Sequence, residues 1–265
     1  MAVPNVWALR EVALASVYDL KTGKARVQLT NLKTSGIENS ATTVYAKGGR
    51  GNANIIGFSG ERGGKITLQD AVFTNEVIAM MTGNDIKTGV ANVYQREVLT
   101  VSANKASLSF TPLNATNGLI SVYKLNDDGT HGDEIVFSSG TVSAGKYTLT
   151  TKQMTFNTGE FPDGTSIVVY YQAATASTSK TITVSSDHFA GTYKVVLDCI
   201  VRNPVDEKDY YAQIVINKAK MEDNWKIEMA SSGDPSVFDI PMEILKPVNG
   251  TELYTMTIYD QDTVA

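Results

Sequence analysis

The stretch that decides the fold is Tyr193 to Arg202, YKVVLDCIVR. Its side chains alternate between a wholly apolar set and a set that carries all the charges. The apolar set is Val195, Leu197, Cys199 and Val201, and the other set is Lys194, Val196, Asp198, Ile200 and Arg202. Because successive side chains of a strand point to opposite faces, this period of two predicts a strand with one face in the core.

Similar alternation continues toward the C-terminus, interrupted by turn signals. Ser232-Gly233-Asp234-Pro235 predicts a turn, because Gly adopts unusual φ values and Pro fixes φ. Pro241 falls inside one of the predicted strands, where its missing N–H favours an edge or bulged position. The predicted strands are Tyr210–Asn217, Asn224–Ala230, Val237–Leu245 and Thr251–Tyr259.

One segment has helical spacing instead. From Asp70 to Thr82, the apolar residues recur every three to four positions, which predicts an amphipathic helix packed on the sheet. We expect Asp70 to be its N-cap and Gly83 to be the residue that ends it. The apolar face comprises Val72, Phe73, Val77, Met80 and Met81.

Between Glu97 and Ser185 the composition shifts toward Ser, Thr and Gly, and short strands alternate with turns. We therefore predict a mainly β fold, an antiparallel β-sandwich or partial barrel with one flanking α-helix and an inserted β-module. The main domain is discontinuous, residues 1–96 and 181–265, and the insert comprises residues 97–180. The insert strands are Leu119–Leu125, Gly145–Thr150 and Ser166–Gln172.

Composition excludes several classes of protein. The 265 residues are 42% apolar and 19% charged, with a net charge of -5, which argues against a surface that grips phosphates. No stretch approaches the ~18 apolar residues of a membrane span, and charges interrupt Met1–Leu20 where a signal peptide would be apolar. We expect a protein made in the cytoplasm, with the single cysteine, Cys199, buried and inert.

The motifs that carry chemistry fail on inspection. In the glycine-rich stretch Lys47–Lys65, a phosphate-binding loop would need Ser or Thr at Ile66 and Gly at Ser59. A dinucleotide fingerprint would need Gly at Asn54. His131 and His188 have no partner at metal spacing, and the acidic run near Asp128 lacks the ligand order of an EF-hand. We expect no cofactor, no metal and no enzymatic activity.

Three segments instead resemble tail tube proteins of contractile-tailed bacteriophages. They are LKTSGIENSATTVYAKGGRGNANIIGFSG (32–60), MMTGNDI (80–86) and AQIVINKAKMEDNWKIEMASSGDPSVFDIPMEILKP (212–247). The likeness covers Tyr18 to Asp85 and Thr181 to Tyr259. It rests on strand and turn signatures.

The resemblance implies a structural virion protein that self-assembles into hexameric rings, stacked into a tail tube through which DNA is ejected. It also implies assembly in the host cytoplasm, location in the virion tail, and partners among the sheath, baseplate and tail terminator proteins. DNA would pass without specific binding, since an acidic lumen repels phosphates.

Two sets of residues are the predicted functional sites. Long loops in compact domains are usually functional, so the glycine-rich stretch is the expected contact between rings. The predicted stacking loop is Lys47, Gly48, Gly49, Arg50, Gly51, Asn52, Asn54, Arg62 and Lys65. Acidic residues on the polar faces of strands are the expected lumen lining, namely Asp198, Glu228, Asp239 and Glu243.

Two other functions fit a β-rich, cysteine-poor chain. One is a different virion component, such as a sheath, baseplate or head decoration protein, which would attach to an existing surface. The other is a carbohydrate-binding β-sandwich with the Ser/Thr-rich insert as binding module. Only two tryptophans, Trp7 and Trp225, are present, which counts against a sugar platform.

Overall fold

The computed structural model describes residues 3–229, 231–232 and 237–264. In chain order its elements are β1 (Ala8–Leu9), β2 (Leu14–Asp19), β3 (Ala25–Leu29), β4 (Leu32–Gly48), β5 (Ala53–Asp70), α1 (Asn75–Thr82), β6 (Lys87–Thr88), β7 (Asn92–Thr100), β8 (Lys105–Ser107), β9 (Ser121–Leu125), β10 (His131–Glu134), β11 (Val136–Phe137), β12 (Lys146–Thr150), β13 (Gln153–Phe156), β14 (Ser166–Ala174), β15 (Lys180–Thr181), β16 (Thr192–Arg202), β17 (Asp209–Met221), β18 (Phe238–Ile244) and β19 (Tyr254–Tyr259). Short 3-10 turns cover Ala115–Asn117 and Gln261–Thr263.

The chain forms two compact units, each with its own core. Unit 1 comprises Met1–Ile86 and Ile182–Ala265, and unit 2 comprises Lys87–Thr181. Strand β7 lies across residue 97, where the sequence suggests that the insert begins. That the units are separate functional domains stays a prediction.

Unit 1 is built on a nine-stranded sheet with the order β3-β2-β16-β17-β18-β5-β4. Strand β1 also pairs with β16, and β19 pairs with β17, so β17 has β19 beside its first half and β18 beside its end. Every pairing in this sheet is antiparallel. The prediction of a mainly β protein with antiparallel sheets and one helix is confirmed, and no sheet of the described residues closes into a barrel.

One face of this sheet packs on α1 to form the core of unit 1. The buried side chains of β16 include all four predicted from the period of two, together with Tyr193 and Val196. Helix α1 contributes Val77, Ile78, Met80 and Met81 to the core. Burial of this apolar surface is the main stabilising term of such a domain.

The helix begins later than the sequence predicts. Asp70 ends β5, and its carboxylate accepts a hydrogen bond from the Val72 N–H at 2.9 Å, which forms a turn instead of a helix cap. Thr74 is the N-cap, with its hydroxyl accepting from the Val77 N–H at 3.4 Å. Gly83 ends the helix as predicted, with φ of 68°.

The prediction of a strand at Asn224–Ala230 is wrong. The described residues 222–229 form no strand. Trp225 instead packs against the core, with its ring nearly perpendicular to that of Phe238 and the two centroids 6.0 Å apart, while Met229 is exposed. Ala230 and the predicted turn residues 233–235 lie outside the described residues.

Pro241 lies in β18, an interior strand between β17 and β5, and not at an edge or bulge. Its carbonyl accepts a hydrogen bond from the Glu222 N–H at 2.9 Å, just beyond the last pair of the β17–β18 ladder, Met221 with Met242. The N and C=O of a strand residue point to the same side. The missing N–H of Pro241 therefore faces the end of β17, where no ladder bond is lost.

Unit 2 is a sandwich of two four-stranded sheets around a second core. The sheet orders are β10-β9-β14-β7 and β11-β12-β13-β8, with β11 and β12 parallel. Tyr147, Met154, Phe156 and Tyr171 fill much of the space between the sheets. At the two chain ends of the unit, β6 and β15 pair with each other, Thr88 opposite Lys180.

Candidate assembly surface

The most prominent exposed feature of unit 1 is the hairpin formed by β4 and β5. Its base lies in the sheet, where β5 pairs with both β4 and β18, but only β4 and β5 continue from Thr42 opposite Gly60 to Gly48 opposite Ala53. At ~3.3 Å per residue this part extends roughly 20 Å. Nearly all of its side chains are exposed.

The tip of the hairpin requires glycine. The turn from Gly49 to Asn52 is closed by a hydrogen bond from the Asn52 N–H to the Gly49 carbonyl at 3.2 Å. Gly49, Gly51 and Asn52 have φ of 75°, 88° and 51°. Glycine adopts such left-handed values without steric cost, and Asn tolerates them.

One face of the projecting hairpin is apolar. Val44 lies opposite Phe58, and Ala46 lies opposite Ile56, so their side chains share one face. Val44 is 70% exposed, Phe58 61% and Ile56 55%. Soluble monomers rarely leave a large contiguous apolar surface uncovered, so this face is a candidate interaction surface.

The hairpin also carries a long unpaired edge. Strand β4 has 17 residues and ends the sheet, so in the described part of the chain its outer edge pairs with no strand. The other end of the sheet is β3, with only five residues. An exposed row of backbone N–H and C=O groups is a template for pairing with another chain.

The structure changes the meaning of the predicted stacking loop. Lys47 and Gly48 end β4, residues 49–52 form the turn, and Asn54, Arg62 and Lys65 lie in β5. The expected long loop is thus a short turn and a return strand, because paired backbones support even a glycine-rich strand. Lys65 lies at the base, where its Nζ donates to Glu222 Oε1 at 3.0 Å.

The apolar side chains of the hairpin were not predicted as site residues, because its many glycines dominate the sequence pattern. Val44, Ile56 and Phe58 do not belong to a long run of alternating apolar and polar residues. A bulge between Ala46 and Lys47 also shifts the strand register, which interrupts the period of two. Their short apolar runs on both sides of a glycine-rich turn were the available hairpin signal.

The predicted lumen residues share one face, with one exception. Asp198, Asp239 and Glu243 lie on the face of the nine-stranded sheet opposite the core, whereas Glu228 lies outside the strands. Asp198 accepts a hydrogen bond from Gln213 Nε2 at 2.8 Å. Asp239 accepts one from Gln69 Nε2, on the neighbouring strand β5, at 3.0 Å.

Glu243 belongs to a row of alternating charges across four strands. Glu38, Lys65, Glu243 and Lys220 lie side by side on β4, β5, β18 and β17. The hydrogen bond and charge of Glu222, followed by the charges of Glu243 and Glu38, raise the pKa of Lys65. This part of the face is charged but internally neutralised.

The other candidates for a reactive centre are the metal-binding groups, the cysteine and the surface histidine. Among the described residues, no group of three or more His, Cys, Asp or Glu side chains is arranged to hold a metal ion. Cys199 is buried and donates to the Ala212 carbonyl at 3.3 Å, and burial, followed by the charge of Asp198, raises the pKa of its thiol. His188 contacts Ser185 and Asp187 at the surface. Within the described part of the chain, no helix has the length and apolarity to cross a membrane.

These features define a class of protein: mainly β, with a projecting apolar hairpin and, among the described residues, an unpaired sheet edge. The model of the YomU/Tube protein family matches residues 7–258, nearly the whole chain, and the chain belongs to this family. The match supports the resemblance to phage tail tube proteins, a structural class. No curated protein matches the chain.

Proposed function

We propose that the chain assembles with copies of itself into hexameric rings that stack into the tail tube of a contractile-tailed phage. The tube serves as the conduit for DNA during ejection. The observation that carries this proposal is the projecting β4–β5 hairpin, with its apolar face and free edge. Membership of the YomU/Tube family supports the same conclusion.

The hairpin suits a contact between different surfaces of two copies. Its apolar face lies beyond the part of β5 that pairs with β18, and in the proposed ring a different part of the surface of a partner copy covers it. Such a heterologous contact closes into a ring or continues as a filament. Pairing along the β4 edge would remove the aggregation risk of a free strand.

The face opposite the core is the proposed lining of the channel. Acidic Asp198, Asp239 and Glu243 lie there among basic Lys65, Lys194 and Lys220, so charges of both signs are interspersed. A lining on which opposite charges neutralise one another offers DNA phosphates little to bind. The proposed partners of the tube are the sheath around it and the baseplate and terminator proteins at its ends, in a virion tail assembled in the host cytoplasm.

Shortening the hairpin tests the assembly role. Residues 44–58 are replaced by Asn-Gly, so that Thr43 and Ser59, already a cross-strand pair, flank a two-residue turn. We expect wild-type protein to form hollow tubes in negative-stain electron microscopy and the shortened variant to remain folded but form none. The removed residues contribute no side chain to the core.

A matched pair of double variants separates the apolar face from the rest of the hairpin. Val44→Ser with Phe58→Ser should abolish tubes, whereas Thr43→Ala with Ser59→Ala, on the opposite face, should leave them intact. Tubes from the shortened hairpin would refute the assembly role of the hairpin. Wild-type protein that stays monomeric at every concentration in sedimentation would refute self-assembly and favour a sheath, baseplate or head decoration protein.

A further inference from the structure

Unit 2 contains a groove formed by residues that the proposed role of the hairpin does not involve. It has a volume of about 550 Å³ and lies on the outer face of the β10-β9-β14-β7 sheet, opposite the core of the unit. This volume falls within the ~300–1,000 Å³ typical of small-molecule sites. Its principal lining residues are Tyr94, Arg96, Ile120, Tyr123, His131 and Tyr170.

The floor of the groove is held by contacts among its own side chains. The rings of His131 and Tyr123 are stacked, with centroids 4.7 Å apart and planes 5° from parallel. His131 Nε2 and the Tyr170 hydroxyl share a hydrogen bond of 2.9 Å, and Arg96 Nε donates to the same hydroxyl at 3.3 Å. Such prior ordering lowers the entropy cost of binding a ligand.

Other groups in the groove are open to a ligand. Tyr94 is 77% exposed and Ile120 is 56% exposed, so both offer apolar surface. Within the described residues, the terminal nitrogens of Arg96 and the hydroxyl of Ser121 make no hydrogen bond. An apolar platform bordered by a few unsatisfied polar groups is the usual composition of a ligand site.

We propose that this groove binds a neutral oligosaccharide. The negative face of an aromatic ring attracts the slightly positive C–H groups on the flat side of a sugar ring, so Tyr94 provides the platform. Arg96 and Ser121 are placed to bind sugar hydroxyls. The sequence argument against sugar binding counted only tryptophans, but tyrosine and histidine rings can also form the platform.

The charge of the groove favours a neutral oligosaccharide over single-stranded nucleic acid, which also stacks on aromatic rings. Nucleic-acid affinity depends largely on several cations along the phosphate backbone. The groove presents one permanent cation, Arg96, and Glu134 lies directly across from Tyr123 on the neighbouring strand. A ligand without charge therefore fits better.

The test titrates the full-length protein with N-acetylchitotriose, maltotriose, mannotriose and cellotriose, followed by saturation-transfer NMR and calorimetry. At least one of these sugars should bind saturably. Tyr94→Ala should weaken that binding at least ~10-fold, the equivalent of ~1.4 kcal/mol. Tyr94→Trp, which keeps the platform, should retain it, and Arg96→Gln should weaken it.

Tyr45→Ala is the matched control, because Tyr45 is also an exposed tyrosine but lies on the hairpin of unit 1. It should leave sugar binding unchanged. Absence of saturable binding for all four sugars, or binding that survives Tyr94→Ala, would overturn the proposal. So would an oligothymidylate that binds and depends on both Tyr94 and Arg96. None of these outcomes depends on tube formation.

Discussion

At the scale of single residues, Gly83 shows how closely the end of α1 approaches Phe189, in the segment before β16. Gly83 has φ of 68°, and a Cβ atom at this position would lie 2.2 Å from the carbonyl oxygen of Phe189. An added methyl group therefore meets backbone, which cannot rotate away as a side chain can. The end of the helix and the segment before β16 are fitted to a glycine.

We predict that Gly83→Ala destabilises unit 1 by more than ~2 kcal/mol, because it combines the left-handed φ with overpacking. Urea unfolding followed by circular dichroism measures the change. Gly23→Ala is the control: Gly23 has the same φ of 68° but nothing within 4 Å of the added Cβ. It should cost only about 1–2 kcal/mol, the cost of the left-handed φ alone, and equal losses would show that the Phe189 contact is unimportant.

Tyr171 provides a pH-dependent contribution to the stability of unit 2. Its hydroxyl donates to Glu97 and accepts from the Phe110 N–H at 3.2 Å. Burial, followed by the hydrogen bond to Glu97, raises the pKa of Tyr171 to about 12. In the unfolded chain the pKa is ~10, so the folded state holds the proton more tightly.

The stabilisation from this raised pKa is present below pH ~10 and is lost as the pH rises toward about 12, where the native hydroxyl ionises. We predict that unit 2 loses stability in this window and that Tyr171→Phe reduces the slope. Denaturant unfolding at a series of pH values measures it. Burial also raises the pKa of Tyr147, so a smaller slope remains. An unchanged slope in Tyr171→Phe would contradict the assignment.

At the scale of elements, the row of alternating charges joins β4, β5, β18 and β17. We predict that Glu243→Lys lowers the urea midpoint, because three like charges would then lie side by side. The loss should be larger at about 0.01 M salt than at about 1 M, where screening is nearly complete.

Glu243→Gln is the control for this row. It removes the attraction without adding repulsion, so its loss should be smaller and less dependent on salt. If the two variants showed the same salt dependence, repulsion across β18 would play no part in the effect.

The same elements show what a sequence can predict. β16 was predictable because one face is buried along its whole length, which enforces strict alternation. The start of α1 was not, since Asp70 and Thr74 can both cap a helix and the pairing of β5, which extends to Asp70, decides between them. The Asn224–Ala230 pattern failed because Trp225 reaches the core from an irregular segment.

The hairpin could be predicted only in part. Glycine marked the turn between β4 and β5, but pairing between distant residues, such as Thr42 with Gly60, maintains the strands. The groove of unit 2 was not predictable, because Arg96, His131 and Tyr170 come together only through the pairing of strands far apart in sequence.

At the scale of the whole molecule, the two cores share no residue. We predict that the full-length protein unfolds in two calorimetric transitions. A chain in which residues 89–179 are replaced by Asn-Gly should unfold in one, because Thr88 and Lys180 already form a cross-strand pair that a two-residue turn can join.

This shortened chain also tests whether unit 2 is dispensable for assembly. We expect it to form tubes like those of the wild type and to lose oligosaccharide binding. A chain that cannot fold without residues 89–179 would show that the two units are not independent. A chain that folds but forms no tubes would give unit 2 a part in assembly.

The row formed by Glu38, Lys65, Glu243 and Lys220 determines how far the electrostatic field of this surface extends into solvent. Neighbouring strands are ~4.8 Å apart, so like charges repeat every ~10 Å. The field of an alternating row cancels beyond roughly one repeat, about the distance at which salt already screens it. A long polyanion that moves past at that distance would be neither strongly attracted nor strongly repelled by the row, although each of its four residues is charged.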